Sequence, residues 1–430
     1  MSDRRAFIRN IGGLAGGISL LSLAQPVIAG FPELDKTMNL LTPPETGNDE
    51  DFWGWVRESY TISPNIINLN NGGVSPQPKV VQDALDRYNR IANEGPSYYM
   101  WNTLGEGRES VRMKLADMAG CSTEEIAINR NTTEAMNTVI FGLNLKAGDE
   151  VIVAKQDYPN LLNAWKQREK RDGIKLVWLS FQFPMENENE IVSMYENAIT
   201  PKTKIIMLMH MINYVGQILP AKKIAQMAHG HGVEVMLDAA HTFAHIDYKI
   251  PDLECDYFGT SLHKWLCAPF GTGMLYVKKE KIKNIWALLS DNQPDGDNIR
   301  KFESLGTRSF PIELSISHAI DFHQVIGIQR KEARLRYLKN YWVEKVIQNP
   351  KIRMYTSLKP EFSCGLAAFG IEGIKPGDIT TRLMSKYKIH TTSMVIDNVE
   401  AVRITPHVFT TTYELDRLVT GILDIAENGI

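Results

Sequence analysis

Short, almost wholly apolar runs alternate with stretches of helical period along most of this chain. Val151–Ala154, Leu176–Leu179, Lys204–Met209 and Val233–Leu237 carry hardly a polar residue. That is the pattern of strands covered on both faces, as in a parallel sheet. Glu125–Asn129 reads as a further strand, and Gly271–Val277 as one entered through glycines. Ser110–Ala119, Thr133–Leu143 and Ala221–His229 read as helices lying before or between them. Such alternation predicts a three-layer α/β/α unit, with ligand chemistry at the carboxyl ends of the strands. Beyond about Phe310 the texture changes to a long charged helix, from Ala319 to about Gln348. A smaller α+β unit of short strands follows and closes with the helix Tyr413–Ala426. The pattern therefore predicts a large domain over residues 70–310 and a smaller one built from 31–69 and 311–430.

The first thirty residues stand apart from this scheme. Arg4-Arg5 precede a short, glycine-interrupted apolar stretch from Ile11 to Ala24, and Val27-Ile28-Ala29 offers a cleavage site. Residues 1–30 resemble a twin-arginine export signal, which implies the twin-arginine machinery as a partner and a bacterial periplasm as destination. The stretch is too short and too rich in glycine to suggest a stable membrane anchor. A formal charge of −3 gives no dominant attraction to nucleic acid. The cysteines at 121, 255, 267 and 364 lie far apart without CxxC spacing, so the pattern suggests buried thiols rather than a zinc site or disulfide framework. His229 and His231 have metal-like spacing, but their place in a helix-to-strand turn reads as exposed turn residues; no metal is expected.

The chemistry sits in the middle of the chain. Asp238 ends an apolar strand, in Asp238-Ala-Ala-His241, and Lys264 ends the next apolar segment, Tyr257-Phe-Gly-Thr-Ser-Leu-His-Lys264. A buried carboxylate can hold a protonated pyridine nitrogen while a lysine amine captures an aldehyde. Together these are the requirements of pyridoxal 5′-phosphate, with Lys264 as the Schiff-base lysine. Arg130-Asn-Thr132-Thr133 follows a strand and opens a helix, where free N–H groups and hydroxyls of Thr132 and Thr133 suit a phosphate. An ordinary threonine N-cap is the plainer reading of the same residues. Tyr158, after the strand ending at Ala154, is an aromatic ring placed to stack on a cofactor, with Asp157 as the alternative position.

The run Val233–Asp247 followed by Asp256–Val277 resembles the core of the class V aminotransferases, in the branch similar to isopenicillin N epimerase. The resemblance implies fold type I of the PLP-dependent transferases, a homodimer with shared active sites, and a small-molecule amine or amino-acid substrate. It further implies that Ser261 and His263 contact the cofactor phosphate, and that Thr307 reaches the phosphate of the neighbouring subunit. His241 and Asn213 would lie near the phenolic oxygen of the ring. Arg403, in Ala401-Val-Arg403-Ile-Thr, would clamp the substrate carboxylate with its planar fork of donors. Asn71, in Asn70-Asn71-Gly72-Gly73, would belong to the N-terminal substrate loop.

These residues lead to an expected function: an exported enzyme acting on the α-amino group of an amino acid or peptide-like molecule. Transaminase-type chemistry is the first expectation, with epimerisation or C–S bond cleavage as alternatives. Desulfurases of this family place a thiol before the C-terminal arginine strand, and Tyr387–Glu400 has no cysteine. Cys364, in the predicted strand Phe362–Phe369, reads as a core residue. A non-catalytic binding protein of the same fold and an unrelated α/β enzyme are the competing readings.

Overall fold

In the computed structural model, which describes residues 46–430, the predicted apolar runs form one central sheet. The expected export segment lies outside the described residues. The strands are β1 (Ile126–Asn129), β2 (Glu150–Ala154), β3 (Lys175–Leu179), β4 (Thr203–Met209), β5 (Glu234–Asp238), β6 (Tyr257–Ser261) and β7 (Gly273–Val277). Their order across the sheet is β1-β7-β6-β5-β4-β2-β3. The adjacent pairs from β6 through β3 are parallel, whereas β7 runs antiparallel to both β1 and β6.

The absence of a polar face on these strands follows from burial on both sides. Ile152, Ala154, Ile206, Leu208, Val235 and Leu237 enter one core cluster, while Val151, Val153, Ile205, Met207 and Met236 enter another. The helices Thr132–Gly142 and Pro159–Asp172 cover the second face, and Gly105–Ala119, Glu188–Glu196 and Ala221–Gly230 cover the first. This is the expected three-layer α/β/α sandwich.

A second sheet holds β8 (Ile352–Met354), β9 (Ala367–Ile371), β10 (Thr392–Ile396) and β11 (Val399–Ile404), in the order β8-β9-β11-β10, all antiparallel. Trp342, Leu383, Leu418 and Ile422 pack beneath it from three helices. Ile67–Asn68 pairs in parallel with Ile389–His390, and Leu69 joins this smaller core. Phe52, Trp53 and Val56 of the helix Glu50–Glu58 join the main cluster together with Leu335 and Phe409. The helix is tied to the C-terminal region by Arg57, which donates to Glu414, and by Glu50, which accepts from Arg334.

Two expected elements take a different form. The single long helix is two helices, Phe310–Ile326 and Ile328–Val346, broken at Gly327 with φ +84°. Helical periodicity runs through the break, so only the glycine marks it. The strand expected over Phe362–Phe369 begins only at Ala367, leaving Cys364 buried in the approach to it. All four cysteines are free thiols; three are buried and Cys121 is half-buried. His229 and His231 are exposed at the end of the Ala221–Gly230 helix, and His229 Nε2 lies 2.9 Å from Asp256 Oδ2. No helix among the described residues is long and apolar enough to cross a membrane.

Candidate active site

The carboxyl ends of β4, β5 and β6 meet the N-terminal loop and β11, and the charged side chains converge there. Asp238, last residue of β5, is buried, and its Oδ1 accepts the Ala240 N–H at 2.9 Å. Burial raises its pKa, opposed by that hydrogen bond and by the charge of Lys264. Burial lowers the Lys264 amine to about 8; Asp238 pulls it upward and Arg403 downward. Lys264 Nζ stands 3.3 Å from Nε2 of buried His241. Burial first, then the nearby Lys264 and Arg403 charges, holds His241 neutral far below the usual histidine range.

The turn carrying Lys264 is fixed from behind. Trp265 stacks between His245, at 3.7 Å between centroids, and His407, at 5.6 Å. Its carbonyl accepts the buried Lys331 ammonium. Residue 264 therefore leaves a backbone anchored through Trp265, with its amine turned towards His241.

Arg403 on β11 is buried and donates from Nη1 to Asn213 O at 3.0 Å and from Nη2 to Asn70 Oδ1 at 2.8 Å. No carboxylate pairs with it among the described residues, and burial lowers its pKa to about 10. Tyr214 and Tyr158 both lie within its electrostatic reach. Burial, with Tyr158 and Asp157 nearby, raises the Tyr214 phenol to about 12. Asp157 is buried beside Tyr158, accepts the Ala154 N–H at 2.7 Å and is pushed well above the carboxylate range, chiefly by desolvation.

At the far end, Thr132 N–H donates to Ser261 Oγ at 3.0 Å, and the two hydroxyls lie 2.7 Å apart. The helix cap is Asn131, whose side chain accepts the Glu134 N–H at 2.9 Å, so neither threonine is the N-cap. Thr133 is half-buried in the first turn. His263 Nδ1 faces Thr272 O at 2.9 Å.

The structure thus brings Asp238, His241, Lys264, Asn213 and Arg403 into one cluster, with Thr132 and Ser261 hydrogen-bonded to each other at the start of the helix Thr132–Gly142. Asn71 departs from expectation. Its amide donates to Asn68 O and Thr405 O, each at 3.0 Å, and its oxygen accepts from Asn68 Nδ2 at 2.9 Å, so it shapes the loop. Its neighbour Asn70 is the one that reaches Arg403. Gly72 brings the same loop against the site, since a Cβ there would lie 3.2 Å from the His241 ring. Thr307 is exposed in the loop before Phe310–Ile326, and no hydrogen bond joins it to this cluster among the described residues.

Sequence reasoning missed Asn70 and Tyr214. Adjacent asparagines in one turn give no signal to choose between them. Tyr214 sits beside Asn213 in the chain, but its partners Arg403 and Tyr158 are remote in sequence.

The donor set fits pyridoxal phosphate. Asn213 Oδ1 and His241 Nδ1 are buried without a partner among the described residues, beside a buried acid and a buried amine. Unmet buried polar atoms of this kind point to a polar ligand.

Comparison with known proteins establishes the family. The family model for class V aminotransferases matches residues 67–401, and the chain belongs to that family of PLP-dependent enzymes. It is 26% identical to the isopenicillin N epimerase of Amycolatopsis lactamdurans, over 87% of this chain and 99% of the epimerase. A probable cysteine desulfurase of Halalkalibacterium halodurans is 30% identical, covering 74% of this chain and 80% of its own. Among solved structures, the fold is similar to the cystine C–S lyase C-DES in its K-to-A variant with glycine linked to the PLP cofactor. That likeness has a TM-score of 0.77 at 20% identity, over 86% of this chain and 99% of the lyase. The cysteine desulfurase CsdA of Escherichia coli is similar at TM-score 0.76 and 22% identity, over 87% and 98% of the two chains. The architecture is fold type I.

Proposed function

We propose that this enzyme acts at Cα of an amino acid, or of an amino-acid unit in a peptide-like molecule, with the α-carboxylate held by Arg403. The observation that carries this reading is a buried arginine with no carboxylate partner among the described residues, within electrostatic reach of Lys264, which in turn feels Asp238. Bound pyridoxal phosphate would supply an electron-withdrawing ring able to stabilise negative charge at Cα.

The remaining work belongs to the chain. Lys264, its pKa lowered by burial to about 8, has a larger neutral fraction near pH 7 than a free lysine, so it would bond to the aldehyde and could also serve as the base for the Cα proton. Asp238 would keep a ring nitrogen protonated. Thr132 and Ser261, with Thr133 and His263, would hold the phosphate, and Tyr158 would cover a ring face. His241 and Asn213, whose Nδ1 and Oδ1 are unmet among the described residues, would hold the ring oxygen. Arg403 would fix the carboxylate and so the direction of the bond to be broken.

The fate of the proton decides the reaction. The sequence ranks transamination first; near end-to-end similarity to isopenicillin N epimerases moves inversion at Cα ahead of it. Similarity to cysteine desulfurases keeps C–S cleavage as a second reading. Incubation of the holoenzyme with a panel of amino acids and peptides in deuterated water separates them. Deuterium at Cα with altered stereochemistry and no keto acid marks inversion, keto acid with converted cofactor marks transamination, and released sulfide marks elimination. Absence of exchange and turnover across the panel would refute the reading.

The working unit is taken to be a homodimer, since Tyr98, Trp101 and Phe270 are exposed apolar side chains and Thr307 is an exposed residue for which a second copy supplies a role. The Arg4-Arg5 segment supports export to a periplasm by the twin-arginine route.

A further inference from the structure

The hairpin of β10 and β11 is tied down at both ends. Its strands pair from Thr392↔Arg403 at the base to Ile396↔Val399 beside the turn, so Asp397-Asn398 forms the tip and Arg403 the base. Asp397 has φ +48°, a left-handed conformation that Asp, Asn and Gly adopt most readily. Its carboxylate accepts from Lys155 Nζ at 3.1 Å, from Gln156 Nε2 at 3.1 Å and from Ser180 Oγ. Asn398 Nδ2 donates to Phe181 O at 2.8 Å.

Every one of those partners lies at the carboxyl edge of the large sheet. Lys155 and Gln156 follow β2 and lead straight into Asp157-Tyr158, while Ser180 and Phe181 follow β3. Gln156 also bonds Phe181 in both directions at 3.2 Å, joining the two loops. One carboxylate thus holds the hairpin to the segment that carries Tyr158.

The base of the hairpin needs such a hold. Arg403 is a buried cation with two neutral oxygen partners, no ion pair among the described residues and an unmet Nε. A guanidinium so placed gains by moving towards water, unless its strand is held in place. The Asn213 and Asn70 bonds alone are neutral contacts.

We infer that Asp397 is a positioning residue for Arg403: a latch that pins the hairpin tip to the β2 and β3 loops and keeps the guanidinium in the cleft. This rests on Arg403 being the carboxylate clamp. The latch itself is solvent-accessible, with the Lys155 side chain 50% and that of Asp397 21% exposed, so it can open without unfolding either sheet.

The test reads the accessibility of Arg403 in the holoenzyme, by phenylglyoxal labelling mapped by mass spectrometry, with hydrogen exchange over residues 392–404. Asp397→Gly deletes the carboxylate while retaining the left-handed turn. Arg403 is expected to label about tenfold faster, in line with lost hydrogen bonds to a charged group. The hairpin amides should exchange faster, and the cofactor's visible spectrum should stay unchanged. Lys155→Met, which leaves the turn intact, should give a smaller change in the same direction. Labelling at the wild-type rate would overturn the latch, whether or not hairpin exchange quickens. Arg403→Gln tests the clamp separately: unchanged affinity for amino acids would remove that reading, while the labelling result would still judge the latch.

Discussion

Lys264 makes the proposed chemistry sensitive to pH. Its amine titrates at about 8 because burial disfavours the ammonium more than Asp238 favours it. In the proposed function the neutral amine is the nucleophile, and below its pKa the neutral fraction falls about tenfold per pH unit. Capture of added pyridoxal phosphate by apoprotein should therefore quicken steeply up to about pH 8 and level off above it. Stopped-flow absorbance checks this, and a rate still climbing towards about pH 10, the range of a free lysine, would contradict the burial argument. Asp238→Asn removes the charge that raises Lys264, so its plateau should begin at lower pH. Asp238 and Lys264 were legible from sequence because each closes an apolar run, where a carboxylate or amine has no structural use. The roles of Asn70 and Asn71 were not, because which of two neighbours faces Arg403 depends on a turn whose geometry is set by Thr405, far along the chain.

At the scale of elements, the Thr132–Ser261 end of the site, proposed to hold the phosphate, depends on how closely β7 approaches the helix Thr132–Gly142. A Cβ on Gly273 would lie 2.6 Å from both Asn131 N and Cα, which are backbone atoms with little freedom to yield. Gly273→Ala should therefore displace the helix start, costing about 1–3 kcal/mol by the usual penalty of overpacking. Because Thr132 and Ser261 are joined at that start, cofactor retention on dialysis should also fall. A variant that unfolds and retains cofactor like wild type would show that the close approach has no bearing on the cradle. The strands themselves were legible, since burial on both faces leaves runs such as Val151–Ala154 without polar positions. The break at Gly327 was not, because the apolar repeat of the helices continues on either side of it and a left-handed φ leaves no mark on that repeat. The Asp397 turn was hidden for a different reason: its partners at Lys155, Gln156 and Ser180 are set by tertiary packing alone.

The molecule as a whole is held by buried charge as well as by its cores. Glu303 precedes the loop of Thr307 and accepts from Arg112 through both oxygens, at 2.6 and 2.9 Å, and from Arg108 at 2.8 Å. It also accepts the backbone N–H of Ile128 on β1 at 2.6 Å, so one carboxylate joins the sheet to the helix Gly105–Ala119. The Arg112 side chain is fully buried, and its other partners are Glu109 and the Ile126 carbonyl. Glu303→Ala would strand that guanidinium in the interior, and breaking a buried pair from one side costs about 3–5 kcal/mol. Urea unfolding should show a loss of that size. A loss below about 1 kcal/mol would mean that Glu109, already hydrogen-bonded and itself lowered to about 2 by Arg300 and Arg112, suffices as counter-ion. The companion variant Arg112→Met with Glu303→Leu separates pairing from packing. If the penalty comes from an unpaired charge, removing both partners should recover most of the stability lost with one. If the pair serves mainly to fix β1 through the Ile128 N–H, the double variant should stay as weak as Glu303→Ala, because that amide loses its acceptor in both.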